Sequence, residues 1–184
     1  MNIMNKSEKT IEDLLMGKKN KPMLSTKVQS IINAHIASEL EAAYIYQAMY
    51  AWCEYKGYTG AAKFFNLQYY EELEHMQKLY KYMTDRMALP KTPTLKQVPM
   101  NYSSLKEVVS KALEHEILVE EGYKASLQKV WAEKDMTTFS FLQWFAEEQI
   151  EEVATFSNFV DRLTIAGNDS AAILEIDEEM GKRS

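Results

Sequence analysis

Residues 71–75 read Glu71-Glu72-Leu73-Glu74-His75, inside a long stretch with helical periodicity. Side chains three apart share a helix face, so Glu72 and His75 point the same way. One Glu-x-x-His in one helix carries little weight, because helices are rich in solvated Glu. The rest of the chain supplies the weight. Phe65, Glu72 and Leu79 fall at heptad spacing, with His75 and Met83 on the same stripe. A first helical stretch repeats the arrangement with Ile32, Glu39 and Tyr46, and a third with Val109, Glu116, Tyr123 and Val130. A fourth carries Phe145, Glu152 and Phe159, with Gln149 one turn before Glu152. In each stretch an apolar row is interrupted by a Glu near mid-span. That pattern predicts an all-α fold, a four-helix bundle with one carboxylate from each helix turned inward.

A lone buried carboxylate costs on the order of several kcal/mol unless it is paired or metal-bound. Four in one core are most simply explained by metal. Carboxylates with one or two imidazoles suit Fe(II) without the added affinity of thiolates. Glu39, Glu72, Glu116 and Glu152 sum to a charge that balances two Fe(II) ions. Glu72 shares its helix with the one inward His and is the natural bridge. Glu39, Glu72 and His75 would then hold one iron, and Glu72, Glu116 and Glu152 the other.

Composition narrows the remaining classes. At 184 residues the chain suits one domain with a full-sized core. Only 6 Gly and 4 Pro favour long helices with few turns. A net charge of −6 lacks the basic footprint expected of a nucleic-acid binder. The single Cys53 excludes an internal disulfide framework and any Cys-based metal centre within one chain, and reads as an inert helix residue. No stretch approaches the roughly 20 apolar residues that span a bilayer, and the start lacks the apolar core of a signal peptide. No membrane association is expected, and the cytoplasm is the expected location.

In chain order, residues 1–22 stand apart as a Lys-rich extension, either disordered or a short docking helix. Thr10-Ile11-Glu12-Asp13 resembles a capped helix start, with Ile11, Leu14 and Leu15 along one side and Gly17 as its stop. The main domain is 23–184. Its first helix is expected from Ser25-Thr26 to about Tyr55, a tight turn at Gly57 and Gly60, and its second helix from about Gly60 to Arg86. Leu89 to Tyr102 holds Pro90, Pro93 and Pro99 and cannot continue a helix. So long a connection has a reason if it crosses the length of the bundle, leaving helices two and three parallel. Ser104 and Glu107 form a capping box for a third helix ending near Trp131, with Lys134-Asp135 in the turn. A fourth helix runs from about Thr137 to Ile165. A short fifth, about Ser170 to Met180, carries Ala172, Ile173 and Ile176 on one side and must dock on its own bundle or a neighbour.

The chain from about Met23 onward resembles the bacterial non-haem ferritins. The resemblance rests on Tyr46-Gln47-x-Met49-x-Ala51-Trp52-Cys53, Glu71-Glu72-x-x-His75-Met76-Gln77 and Tyr102-Ser103-Ser104-Leu105. Phe141-Leu142-Gln143-Trp144 followed by Glu148-Gln149-x-Glu151-Glu152 completes it, all in the family's order and spacing. It implies a ferritin-like bundle with the long crossover and short C-terminal helix. It also implies a hollow cage of twenty-four copies that oxidises Fe(II) with oxygen or peroxide and stores ferric mineral. Carried onto this sequence, it makes Glu39, Glu72, His75, Glu116, Gln149 and Glu152 the ferroxidase residues. It suggests a third iron position at Glu71, Glu148, Glu151 and Glu152. Gln149, being neutral, is a poor ligand and reads equally as a neighbour of the metal. Haem is not expected: Glu152 stands where bacterioferritins have a His, and Leu73 where they have the haem-ligating Met.

Other residues read more plainly. Tyr46 serves as a core side chain, a redox group, or both if its hydroxyl bonds a ligand. His35 and His115 lie off the metal stripe and belong at the surface or behind the ligands. Trp52, Trp131, Trp144 and the methionines read as packing, and Asp135 as a channel residue by resemblance. Two other functions compete: a di-iron peroxidase or oxygenase, and a purely structural bundle. The first predicts two Glu-x-x-His units or a Cys-bearing electron-transfer module, and this chain has one such unit and one Cys.

Overall fold

The computed structural model describes residues 22–182, so the expected short helix at Thr10–Gly17 lies outside the described residues. Five helices and no strand are found among the described residues: α1 (Thr26–Lys56), α2 (Thr59–Asp85), α3 (Leu105–Ala132), α4 (Met136–Ala166) and α5 (Ser170–Met180).

Local chemistry sets their ends. Ser25 caps α1 by accepting the Val28 N–H at 3.2 Å. Gly57 ends it at φ 85, a left-handed conformation where a Cβ is strained, and the Tyr58 N–H returns to the Cys53 carbonyl at 3.0 Å. At α3 the expected capping box is displaced by one residue. Ser104 Oγ accepts the Glu107 N–H, but the Glu107 carboxylate bonds the Ser103 N–H at 2.7 Å instead of reaching Ser104. Asp135 caps α4, accepting from the Thr138 N–H at 3.0 Å and its hydroxyl at 2.6 Å.

Contacts at the helix ends fix the topology. The Met23 N–H bonds the Arg86 carbonyl, so α1 starts where α2 ends. Lys27 and Ser25 bond Glu133, so α1 also starts where α3 ends. Tyr82 bonds Thr138, so α2 ends where α4 starts. Helices α2 and α3 therefore run parallel, and residues 86–104 cross the bundle's length between them, as the prolines predicted.

The short α5 docks on its own bundle, with Ile176 and Met180 buried among Ala61, Phe64 and Leu163. Its buried Asp177 accepts the Gly60 N–H at 3.3 Å and the Ala61 N–H at 2.7 Å. A residue from α5 thus caps α2, whose own N-cap, Tyr58, offers no side-chain bond. Gly60 is required there, since a Cβ would lie 1.8 Å from the Asp177 carbonyl oxygen. Of the tryptophans, Trp52 is buried, but Trp131 is 59% exposed and does not pack as expected. It stands at the last turn of α3 on the side away from the buried Val130, in edge contact with Phe139 at 5.4 Å.

Candidate metal centre

Each of α1 and α3 carries a Glu followed seven residues later by a Tyr: Glu39 with Tyr46, and Glu116 with Tyr123. Two turns of helix keep the members of each pair apart. Across the antiparallel helices they meet. The Tyr46 hydroxyl donates to Glu116 Oε1, and the Tyr123 hydroxyl donates to Glu39 Oε1. Each inward carboxylate is therefore held by a phenol from the opposite helix.

Helix α2 brings Glu72 and His75 to the same face, with His75 Nδ1 3.4 Å from Glu72 Oε2. The edges of Trp144 and Phe145, at ring-centroid distances of 5.5 and 5.8 Å, hold the imidazole in place. From α4, Gln149 Nε2 donates to Glu116 Oε2 at 2.5 Å. Glu152 accepts from Gln68 Nε2 at 3.1 Å. All six residues are buried, His75 being the most exposed at 6%.

One ligand atom from each of Glu39, Glu72 and His75 falls within 4.8 Å of the others, a spacing that could hold a metal ion. Glu116 and Glu152 stand outside that trio but close enough for the charge of Glu152 to act on both Glu72 and Glu116. A second group, Glu71, His75 and Glu148, meets the same 4.8 Å limit. Two of the residues expected at the third position, Glu71 and Glu148, are thus brought together. His75 joins Glu71 and Glu148, while Glu151 is exposed and Glu152 is turned into the core.

Crowding and burial govern the protons. Burial, then the charge of Glu72, raises the Glu39 pKa well above the usual carboxylate value. Burial pushes Glu72 up to about 8, with Glu152 and Glu71 adding to the rise. Glu116 also rises to about 8, for burial first and then the charges of Glu152 and Glu39. These carboxyls hold protons at neutral pH until a cation replaces them. Their partners include hydroxyls, amides, one imidazole and, between Glu39 and Glu72, a second carboxyl, and the carboxylates with the imidazole make the oxygen-rich donor set of a divalent-metal site.

The sequence reading missed two supporting residues and left a third, His35, between the surface and a place behind the ligands. Gln68 lies one turn before Glu72 and was legible by spacing alone. Tyr123 was placed on its stripe but given no role. His35 is neither at the surface nor idle: it is buried, stacked on Tyr123 and bonded to Ser126 Oγ at 2.8 Å. Cys53 is buried, and its thiol is pushed up to about 12 by burial, so it is unreactive as expected.

The ferritin-like domain family matches residues 29–166. Among curated relatives, a probable bacterial non-heme ferritin-like protein of Haemophilus influenzae is 36% identical over 162 residues, spanning 88% of this chain and 98% of that one. The bacterial non-heme ferritin of Escherichia coli is 35% identical over 158 residues, 86% of this chain and 96% of its own. Among solved structures, an open pore ferritin from the hyperthermophilic archaeon Archaeoglobus fulgidus superposes with a TM-score of 0.86 at 29% identity, covering 88% of this chain and 99% of that one.

Proposed function

The chain belongs to the ferritin family, and from that premise we propose that it stores iron. In this reading it takes Fe(II) as substrate, oxidises it with dioxygen or peroxide at the buried carboxylate–histidine centre, and keeps the ferric product as mineral. The store is a cage of twenty-four copies in the cytoplasm. The observation that carries the reading is the buried trio Glu39, Glu72 and His75, extended by Glu116 and Glu152. Relatives that cover almost their whole length with this chain bear the name bacterial non-heme ferritin. Among the described residues no helix is long and apolar enough to cross a membrane.

The roles follow from the contacts. Glu39, Glu72 and His75 take one Fe(II); Glu72, shared, takes the second with Glu116 and Glu152. Gln149 directs its amide at Glu116 and so orients that carboxylate rather than acting as a strong ligand. Tyr46 fixes the other Glu116 oxygen. Two Fe(II) ions give up two electrons, which reduce dioxygen to peroxide or peroxide to water. The carboxyl protons displaced on binding are available where the reduced oxygen needs them. Oxidised iron then leaves past Glu71 and Glu148, the half-buried group that shares His75 and is the candidate third position.

Aerobic addition of Fe(II) to the assembled protein tests the proposal, with mineral growth followed by absorbance and assembly by analytical ultracentrifugation. A storage cage takes up many irons per chain over repeated additions without a reductant. Uptake that stops near two irons per chain and resumes only with an electron donor would instead identify a di-iron peroxidase or oxygenase.

A further inference from the structure

Tyr46 and Tyr123 occupy matching places, but their surroundings differ. The Tyr46 ring lies among Phe65 and Phe156, with centroids at 5.9 and 5.8 Å. Tyr123 is likewise stacked on a phenylalanine, Phe145, at 5.3 Å, but it also lies flat against the His35 imidazole, with centroids 3.8 Å apart and planes within 5°. His35 is anchored in turn by Ser126 Oγ at 2.8 Å. His35 and Glu39 are one turn apart on α1, and Tyr123 and Ser126 one turn apart on α3. The four side chains close a circuit between the two helices: His35 grips Ser126 and the Tyr123 ring, and the Tyr123 hydroxyl grips Glu39.

We propose that the His35–Tyr123 pair is a positioning device that restricts Glu39 to binding a divalent ion through one oxygen. The proposal rests on the reading of Glu39 as a metal ligand. A carboxylate has two oxygens, and a phenol donating to one of them directs the other at the cation. A phenol ring free to swing could not hold that direction, and the stacked His35 and Phe145 rings together remove the freedom. Burial, with Lys129 nearby, lowers the His35 pKa to about 4, so the ring is neutral and adds no charge that would oppose a cation. On the other half of the centre Tyr46 acts on Glu116 with the phenylalanine rings Phe65 and Phe156 against it and no hydrogen-bonded imidazole, so each tyrosine governs the ion its own carboxylate would hold.

Anaerobic titration of the metal-free, full-length protein with Co(II) tests this, because Co(II) reports its coordination through visible absorption. The wild type is expected to take two ions per chain. Tyr123→Phe removes only the hydroxyl. It is expected to weaken one of the two binding events about tenfold, the usual worth of a hydrogen bond to a charged group. The Co(II) bands of that event should also lose intensity, as Glu39 turns to two-oxygen binding and the coordination number rises. Tyr46→Phe should weaken the other event. His35→Ala should follow Tyr123→Phe, whereas His35→Phe, which keeps a flat ring, should stay within about threefold of wild type. Equal weakening of both events, or no change in either, would overturn the proposal. If Tyr123→Phe does not fold, His35→Ala against His35→Phe decides by the same split. A wild type that binds no Co(II) would remove the metal reading of the whole centre and this proposal with it. Two ions bound equally by wild type and Tyr123→Phe would remove this proposal alone.

Discussion

Filling the centre with divalent metal should drive protons out of it, in a number the buried carboxyls fix. Glu72 and Glu116 titrate at about 8 in the metal-free protein, and Glu39 lies well above its usual value. At pH 7 a group with such a pKa holds about 0.9 proton, so these two carboxyls and Glu39 together release roughly two to three protons per chain. At pH 9 the same two carboxyls hold only about 0.1 proton each, so the release should fall by roughly 1.6. Because protons compete with the metal, apparent affinity should drop on the order of a hundredfold or more per pH unit below neutrality. Calorimetric titration with Zn(II), run in two buffers of different ionisation enthalpy at each pH, counts the protons directly. Fewer than about half a proton released at pH 7, or the same number at pH 7 and pH 9, would refute the crowded, protonated centre.

Three further outcomes are expected. Glu72→Ala removes the shared carboxylate and should slow the fast phase of Fe(II) oxidation at least about a hundredfold in stopped flow, with assembly retained; near wild-type initial rates would refute the bridging role. Glu116 has a folded pKa above its unfolded one, so its contribution to stability is complete below the unfolded value near 4.5 and is lost as pH rises through about 8. The metal-free wild type should therefore lose about 2 kcal/mol more than Glu116→Gln between pH 6 and pH 8 in urea denaturation, and parallel pH dependences would count against the shift. Asp177→Ala deprives α2 of its cap and should cost about 1–2 kcal/mol in the same assay, with a change under a few tenths showing the contact to be idle.

Much of this architecture was legible because it is periodic. The inward stripes needed only heptad arithmetic, and all but the half-buried Phe159 are buried as the spacing required. The crossover followed from Pro90, Pro93 and Pro99, whose effect on helices is local. What escaped depends on which helix faces which. The Tyr123–Glu39 bond joins residues 84 positions apart, and nothing in either helix alone announces it. Asp177 caps a helix 116 positions earlier, so a search for caps beside their own helix could not find it. Glu151 is the opposite case: the resemblance alone gave it a role, and its exposed position matches the solvated face that its residue type suggests.

The placement of the trio on the chain bears on synthesis. Glu39, Glu72 and His75 all belong to the first hairpin, α1 and α2, which leaves the ribosome before α3 does. The phenols do not divide so evenly: Tyr46 emerges with that hairpin, but its target Glu116 does not, and Tyr123 arrives only after the crossover. A nascent chain paused with this hairpin clear of the ribosome and α3 still inside it would carry three donor groups for a metal ion with nothing yet to aim Glu39. Capture of a stray Zn(II) at that stage would leave the ion in place as the second hairpin closed over it. Rapid arrival and docking of α3 is thus part of how the protein would receive the right metal, and slow codons within α3 would be expected to raise the fraction of chains born with the wrong one.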